Sequence, residues 1–437
     1  MKLPVTRQQM FALTGYRTPT IQRMRLGADA DGRLVAIGHD VQEQTSTLRE
    51  FAEQTATPTR VMYAAPNRRT THRLAALDVP TPSWMRAPGE CPGMYALESA
   101  MDELAVAAGI DPVELRVRND PDADPELDIP FSTRNLVACL RDGAERFGWS
   151  SRDPAPGVRR EGRWLAGSGV AASTYPARFR PAQAFARAEG HDRYVVGIGA
   201  ADIGTGARTV LTQVAAEALG VEPGQVRMLV GDSALPRAPV AGGSAGTASW
   251  GSAVEGACRA LRERLAAGEH EAEVTYDTSD DVERQKELSR HAFGAQFAAL
   301  RVNVDTGEIR VDRLLGVFAA GRILNPRTAR SQFVGGMTMG MAMALMEESV
   351  VDPAFGDFLN HDLAQYHVPV NADVHAIEAH WIDETDPDAN PIGVKGIGEI
   401  GIVGTAAAVG NAFFHATGVR LRDLPLRPDR VLQALGS

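Results

Sequence analysis

Apolar and polar residues alternate through Ile21, Met24 and Leu26, pause at Asp29-Ala-Asp-Gly32, and resume at Leu34, Val35 and Ile37. This pattern predicts a β-hairpin over residues 20–40. Residues 41–60 are polar and fit a helix or a long loop. The period then changes: Met94, Leu97, Met101, Leu104 and Ala108 share one face of a helix that stops at Gly109. A short helix is expected around 135–147, a strand over 193–199, and a helix carrying Val210, Leu211, Val214, Ala218 and Leu219 that Gly220 ends. A strand over 226–231 and a helix from Val254 follow. Leu300, Val302, Val304, Ile309 and Val311 alternate about Asp305-Thr-Gly-Glu308, which predicts a second hairpin over 299–311, with a further strand over 314–318. A long helix of small residues and methionines starts at Asn325, with Gln332 at its opening. Its methionines suit core packing, and its paired glycines suit close approach by a backbone or a ligand. An apolar helix over 406–415 ends at Gly418.

A chain of 437 residues is long enough for two or three domains and a large core. Its formal net charge of −10 argues against nucleic acid or an anionic membrane as the main partner. Apolar residues make up 44% of it, with no run expected to span a bilayer. Cys91, Cys139 and Cys258 stand apart, in no disulfide or metal-ligand spacing, so a reducing, cytoplasmic setting is expected. The ten histidines are scattered, which leaves no expected protein-ligated metal. The first residues show neither an apolar signal core nor a helix cap.

Candidate chemistry lies in four small-residue loops: 85–93 with Arg86, 204–206, 241–249, and 393–401. Gly393, Gly396, Gly398 and Gly401 let the last loop bring its backbone close to a ligand. Glu399 is out of place in a phosphate cradle, where it would repel the anion, but suits a base beside a bound cofactor. Gly396-Ile-Gly-Glu-Ile-Gly401 also spells a dinucleotide fingerprint, the alternative being a nucleotide-dependent Rossmann oxidoreductase. That motif needs a buried strand before it. Here an acidic, proline-broken stretch, 383–391, precedes it. If the loops converge, backbone amides, hydroxyls, Arg86, Gln332, Lys395 and Glu399 would line one deep site for a large anionic cofactor.

Several stretches in order resemble the molybdenum-cofactor-binding large subunit of the xanthine dehydrogenase/aldehyde oxidase family. They are Met85-Arg-Ala-Pro-Gly-Glu-Cys-Pro-Gly, Leu97-Glu-Ser-Ala-Met-Asp-Glu-Leu-Ala, Asp202-Ile-Gly-Thr-Gly, Gly231-Asp-Ser, Gly242-Gly-Ser, Leu324-Asn-Pro, Ser331-Gln-Phe-Val-Gly-Gly and Lys395-Gly-Ile-Gly-Glu-Ile-Gly. The resemblance implies an α+β, two-lobed fold of mixed sheets with packed helices. Residues 1–120 would be the remainder of a first cofactor-binding domain, 121–162 a connection, and 163–437 the second domain.

The implied reaction is hydroxylation of an aldehyde or N-heterocycle with oxygen from water. In it a glutamate, matched by Glu399, removes the Mo–OH proton and hydride passes to Mo=S. Arg86, Gln332 and Lys395 match residues close to the metal centre, with Gly396 and Gly398 beside them. Gly204, Thr205, Gly206, Gly243, Ser244 and Thr247 match the loops that hold the pterin and its phosphate, and Arg60 a substrate-polarising arginine. The implied cofactor is molybdopterin, with the cytosine dinucleotide as one form. Iron–sulfur (2Fe-2S) and FAD groups would be carried by partner subunits. Two positions depart from the purine-oxidising pattern: Pro88 and about Thr174 stand where those members use phenylalanines. The family subunit also extends further at its N-terminus, through a Gly-Gly-Gly-Phe-Gly loop missing here. A separate chain carrying that half, or a truncated, inactive product, is the corresponding expectation.

Overall fold

A computed structural model describes residues 3–190, 192–269 and 272–436. Helix α1 (Arg7–Leu13) opens it, with a helix cap where none was expected, a reciprocal pair of bonds between Thr6 and Gln9. The first hairpin forms as expected from β1 (Thr20–Ala28) and β2 (Leu34–Ser46). β2 runs six residues past the expected end, and residues 41–46 are strand rather than helix or loop. Polar residues on its buried face hid it: Glu43 is buried, accepting from the Glu53 amide at 3.1 Å and from the Thr55 hydroxyl. A hydrophobicity pattern cannot register such a self-satisfied polar core position.

After α2 (Thr57–Val61), strand β3 (Asn67–Leu77) pairs parallel to β2 and completes a three-stranded sheet. Helix α3 (Glu90–Ala108) buries Met94, Leu97 and Met101 and stops where Gly109 takes φ 65°. Next come α4 (Pro112–Arg118), α5 (Leu136–Phe147), β4 (Arg160–Glu161), β5 (Trp164–Pro176), β6 (Gln183–Ala188) and β7 (Tyr194–Gly197). The chain continues through α6 (Ala207–Leu219), β8 (Val226–Leu229), α7 (Gly246–Ala266), β9 (Glu273–Asp277), α8 (Ser279–Glu283), β10 (His291–Asn303) and β11 (Ile309–Ala319). It ends with α9 (Pro326–Leu345), β12 (Ile377–Trp381), α10 (Ile400–Val403), α11 (Thr405–Thr417) and α12 (Pro428–Leu435).

The second hairpin is β10–β11, and the separate strand expected over 314–318 is the far end of β11. A register shift between Ala299 and Leu300 breaks the alternation and made one strand look like two. Helix α7 begins at Gly246, eight residues before the expected Val254, so Thr247 and Ser249 are helical. Gln332 lies in the second turn of α9 rather than at its opening. No strand runs directly into Gly396, since β12 ends at Trp381 and only an isolated bridge at Val394 follows, which removes the Rossmann alternative.

The architecture is α+β. A mixed five-stranded sheet, β12-β11-β10-β5-β4, packs one face on α3, α5 and α9, around Phe293, Phe297, Phe318 and Phe333. Its other face holds α11, with Ala298, Leu300, Val409 and Phe413 between them. A four-stranded sheet, β8-β7-β6-β9, and helices α6 and α7 build a second core around Val196, Leu211, Met228 and Val254. The span Ile400–Thr417 is long and apolar enough to pass for a membrane helix by composition, but 89% of it is buried inside the fold as α10 and α11.

Candidate active site

Between the two lobes lies a cavity of about 1330 Å³. All four small-residue loops reach it. Arg60, Arg86, Gly204, Thr205, Gly243, Ser244, Thr247, Gln332, Lys395, Gly396, Gly398 and Glu399 line it; Gly206 does not. Gly206 instead starts α6 at φ 81°, against Thr328 of α9.

Glu399 stands just before α10, where its two carboxylate oxygens are held from opposite walls. The Ala87 amide donates to Oε1 at 3.1 Å, and the Ser244 hydroxyl donates to Oε2 at 2.7 Å. Both donors come from residues in the left-handed region, Ala87 at φ 55° and Ser244 at φ 51°. Such backbone costs on the order of 1 kcal/mol for a residue with a side chain, and persists where surrounding structure dictates it. Gly396 is required here for space: a Cβ on it would meet the Ser244 carbonyl oxygen at 2.3 Å. The 241–244 and 396–399 segments are therefore pressed backbone to backbone beneath the carboxylate.

Arg86 makes two bonds to the protein. Its Nε donates to the Gly398 carbonyl at 2.6 Å and its Nη2 to the Gln332 carbonyl at 2.9 Å, so it braces the Glu399 loop against α9. The rest of the guanidinium still faces the cavity that Arg86 lines. Lys395 is also committed: its ammonium is buried between Glu384 at 3.0 Å and Asp386 at 3.5 Å and donates to the Thr133 hydroxyl. Burial alone would raise the Glu384 carboxyl, but the Lys395 charge together with hydrogen bonds from Thr133, the Gly321 amide and Lys395 itself holds it below the ordinary range. Lys395 thus fixes the loop's position rather than offering charge to a ligand. The amides of Gly204 and Gly206 are occupied too, donating to Asp202 Oδ1 at 3.0 and 3.3 Å.

Anion-binding capacity lies elsewhere. Helix α7 has no side-chain cap, and its first turn, Gly246 and Thr247, opens on the cavity beside Gly243 and Ser244. Arg178 and Arg180 line the same side, and among the described residues neither makes an ion pair within 4.0 Å. Uncapped amides at a long helix's start, with two uncommitted guanidinium groups, fit a large ligand carrying phosphate. The donor set and the cavity's size accordingly fit a pterin cofactor. Arg60 lies in the opposite wall, its Nε donating to Thr70 at 3.2 Å. Pro88 lines the cavity, whereas Thr174 is buried in β5 away from it.

Four residues here were not singled out in the sequence. Glu53 is buried, pairs with Arg17 and accepts from the Gly89 amide at 3.1 Å, anchoring the loop that carries Arg86 and Ala87. Glu90, Tyr175 and Arg178 crowd the corner behind Glu399. Nothing local marked them, since an acid in a helix's first turn ordinarily serves only to stabilise the helix end.

Residues 1–120, and the overlapping stretches 142–281 and 266–375, match the family description "molybdopterin cofactor-binding domain". The chain is 43% identical over 452 residues to the aldehyde oxidoreductase molybdenum-binding subunit PaoC of Escherichia coli, covering 97% of this chain and 62% of that protein. It is 28% identical over 488 residues to the putative xanthine dehydrogenase molybdenum-binding subunit XdhA of Escherichia coli, covering 99% and 64%. The chain thus spans less than two thirds of the length of these relatives. Among solved structures, the aldehyde oxidoreductase of Desulfovibrio gigas superimposes with a TM-score of 0.86 at 25% identity, over 99% of this chain and 51% of that one. Quinoline 2-oxidoreductase of Pseudomonas putida shares the fold, with a TM-score of 0.86 at 20% identity over 99% and 64%. With its small-residue loops gathered on one cavity and these matches along nearly its whole length, this chain belongs to the molybdopterin cofactor-binding family of aldehyde oxidoreductase and xanthine dehydrogenase molybdenum-binding subunits.

Proposed function

We propose that the chain forms the cofactor-binding and base-bearing part of a molybdenum hydroxylase that oxidises aldehydes, with N-heterocycles as the second substrate class. The observation that carries this reading is Glu399, a carboxylate aimed into a cavity of cofactor size and held by two donors from two different loops. When bound, the molybdenum cofactor supplies the oxygen transferred to substrate and takes up the two electrons released. The protein's own part is proton transfer and placement. Glu399 keeps lone pairs free of Ala87 and Ser244, and through them it accepts a proton within the cavity. Gln332 presents its side-chain amide towards Gly398 from α9, a neutral donor and acceptor beside the base. Arg178, Arg180 and the start of α7 take the phosphate end of the cofactor, in either its mononucleotide-free or cytosine dinucleotide form. Pro88 leaves the substrate side without an aromatic sandwich, which favours aldehydes over purines. Electrons leave to 2Fe-2S and FAD groups on partner subunits.

The test is Glu399→Gln in the molybdenum-loaded complex containing this chain. The amide keeps the shape but takes no proton at neutral pH. Turnover of an aromatic aldehyde with an artificial electron acceptor is expected to fall by about 10²–10⁴-fold at unchanged molybdenum content. Undiminished turnover in a fully loaded variant would remove Glu399 as the base.

A further inference from the structure

Glu90 opens α3 on the cavity wall two residues beyond Pro88. Its residue is 3% exposed, and its Oε2 is buried with no hydrogen-bond partner. No other described side chain reaches either of its oxygens within hydrogen-bond range. An ionised oxygen left buried and unpaired loses its hydration without a replacement bond, so the carboxyl is favoured in its neutral form. The groups that face it from the surrounding elements do not reverse this. Arg178, after β5, draws it towards ionisation; Glu399, before α10, and Glu53, before α2, oppose that. Arg17 is paired with Glu53, and the Tyr175 phenol of β5 is itself buried beside Glu399.

We propose that Glu90 stands in the cavity wall as a neutral carboxylic acid and donates its proton as a hydrogen bond to the carbonyl-type acceptor of the substrate, so that it sets specificity beside Glu399. This rests on the hydroxylase reading above. A neutral acid can donate where a carboxylate can only accept, and it places no second negative charge next to the base. Burial, which dominates over the opposing bond from its own amide, pushes the carboxyl up to about 8. The donor is therefore present below that pH and lost above it. Substrate binding should weaken on the alkaline side as the acid ionises.

The experiment compares wild type with Glu90→Gln and Glu90→Ala in the molybdenum-loaded complex, measuring KM and kcat for benzaldehyde on both sides of pH 8. Wild-type KM is expected to rise by about tenfold on the alkaline side, the scale of one lost hydrogen bond. Glu90→Gln keeps a donor that cannot ionise, so its KM should stay flat. Glu90→Ala should show the raised KM at every pH. A second readout needs no turnover: pH-difference infrared spectra of the chain should contain the carbonyl stretch of a protonated carboxyl that vanishes in Glu90→Gln. A Glu90→Gln enzyme that retains the alkaline rise in KM, a carboxyl band that survives the substitution, or loss of molybdenum from the Glu90 variants would each overturn the proposal. Failure of the hydroxylase reading shows separately, as undiminished turnover in Glu399→Gln.

Discussion

Ala87 and Ser244 are ordinary small residues in unusual backbone, at φ 55° and 51°, and each holds one oxygen of Glu399. The strain and the contacts belong together: the left-handed turn at each residue aims its donor across the cavity wall. Ser244→Ala keeps the turn and deletes the donor to Oε2. Turnover is expected to drop by about tenfold, in line with one neutral-to-charged bond of roughly 1.5 kcal/mol, while molybdenum content stays constant by metal analysis. Which residues line the cavity is largely legible in the sequence, since Glu399, Ser244, Gln332 and Thr247 all lie in or beside its small-residue loops and helix starts. Direction is not. Arg86 and Lys395 are cations in glycine-rich loops, which reads as anion binding. Only the fold shows that Arg86 braces two carbonyls and that Lys395 neutralises Glu384 and Asp386.

Among the elements, the crossing of α9 and α10 matters most to the site. A Cβ on Gly336 would meet the Gly401 backbone at 2.8 Å, and one on Gly401 would meet the Phe333 carbonyl at 2.7 Å. The glycines in the methionine-rich helix thus admit another backbone, one of the two occupants the sequence allowed, and Met337 and Met341 are buried in the core as expected. Gly336→Ala would gain about 1 kcal/mol of helix propensity but overpack two backbones, a cost of about 1–3 kcal/mol. The expected result is a lowered melting temperature, with reduced turnover because α10 carries Glu399 on its leading end. In the first sheet, buried His39 of β2 ties two elements together, contacting Thr59 of α2 at 2.8 Å and Gln22 of β1 at 3.1 Å. Burial lowers its pKa from 6.5 to about 4. The unfolded chain therefore binds a proton in the window where the folded one does not, and stability falls as pH drops from 6.5 towards 4. Thermal melts should show that loss across the window, and His39→Gln should flatten this part of the profile. The elements missed by pattern, β2 beyond residue 40 and the start of α7, carry polar or small residues facing inward. There, pairing and tertiary contact override the hydrophobic signal.

For the whole molecule, the cavity exists because two cores face one another across it: the five-stranded sheet with α9 supplies Glu399 and Gln332, and the four-stranded sheet with α6 and α7 supplies Thr205 and Ser244. A ligand gripped by both lobes stabilises them together, by about 2.7 kcal/mol at a hundredfold excess over its dissociation constant. Hydrogen exchange of loaded and cofactor-free complexes is expected to show residues 241–247 and 394–399 gaining protection in step. Protection confined to one of the two segments would place the ligand against a single lobe. By itself the sequence determined the kind of chemistry, because glycines, hydroxyls and one misplaced glutamate constrain what a loop can hold, and most of the helices and strands, because their apolar periods are local. Tertiary structure alone decided which charges remain available. The Arg86 guanidinium meets carbonyls more than two hundred residues away, and the Lys395 ammonium meets Thr133 from across the chain as well as its near neighbours Glu384 and Asp386, and no local pattern encodes where the distant partners arrive.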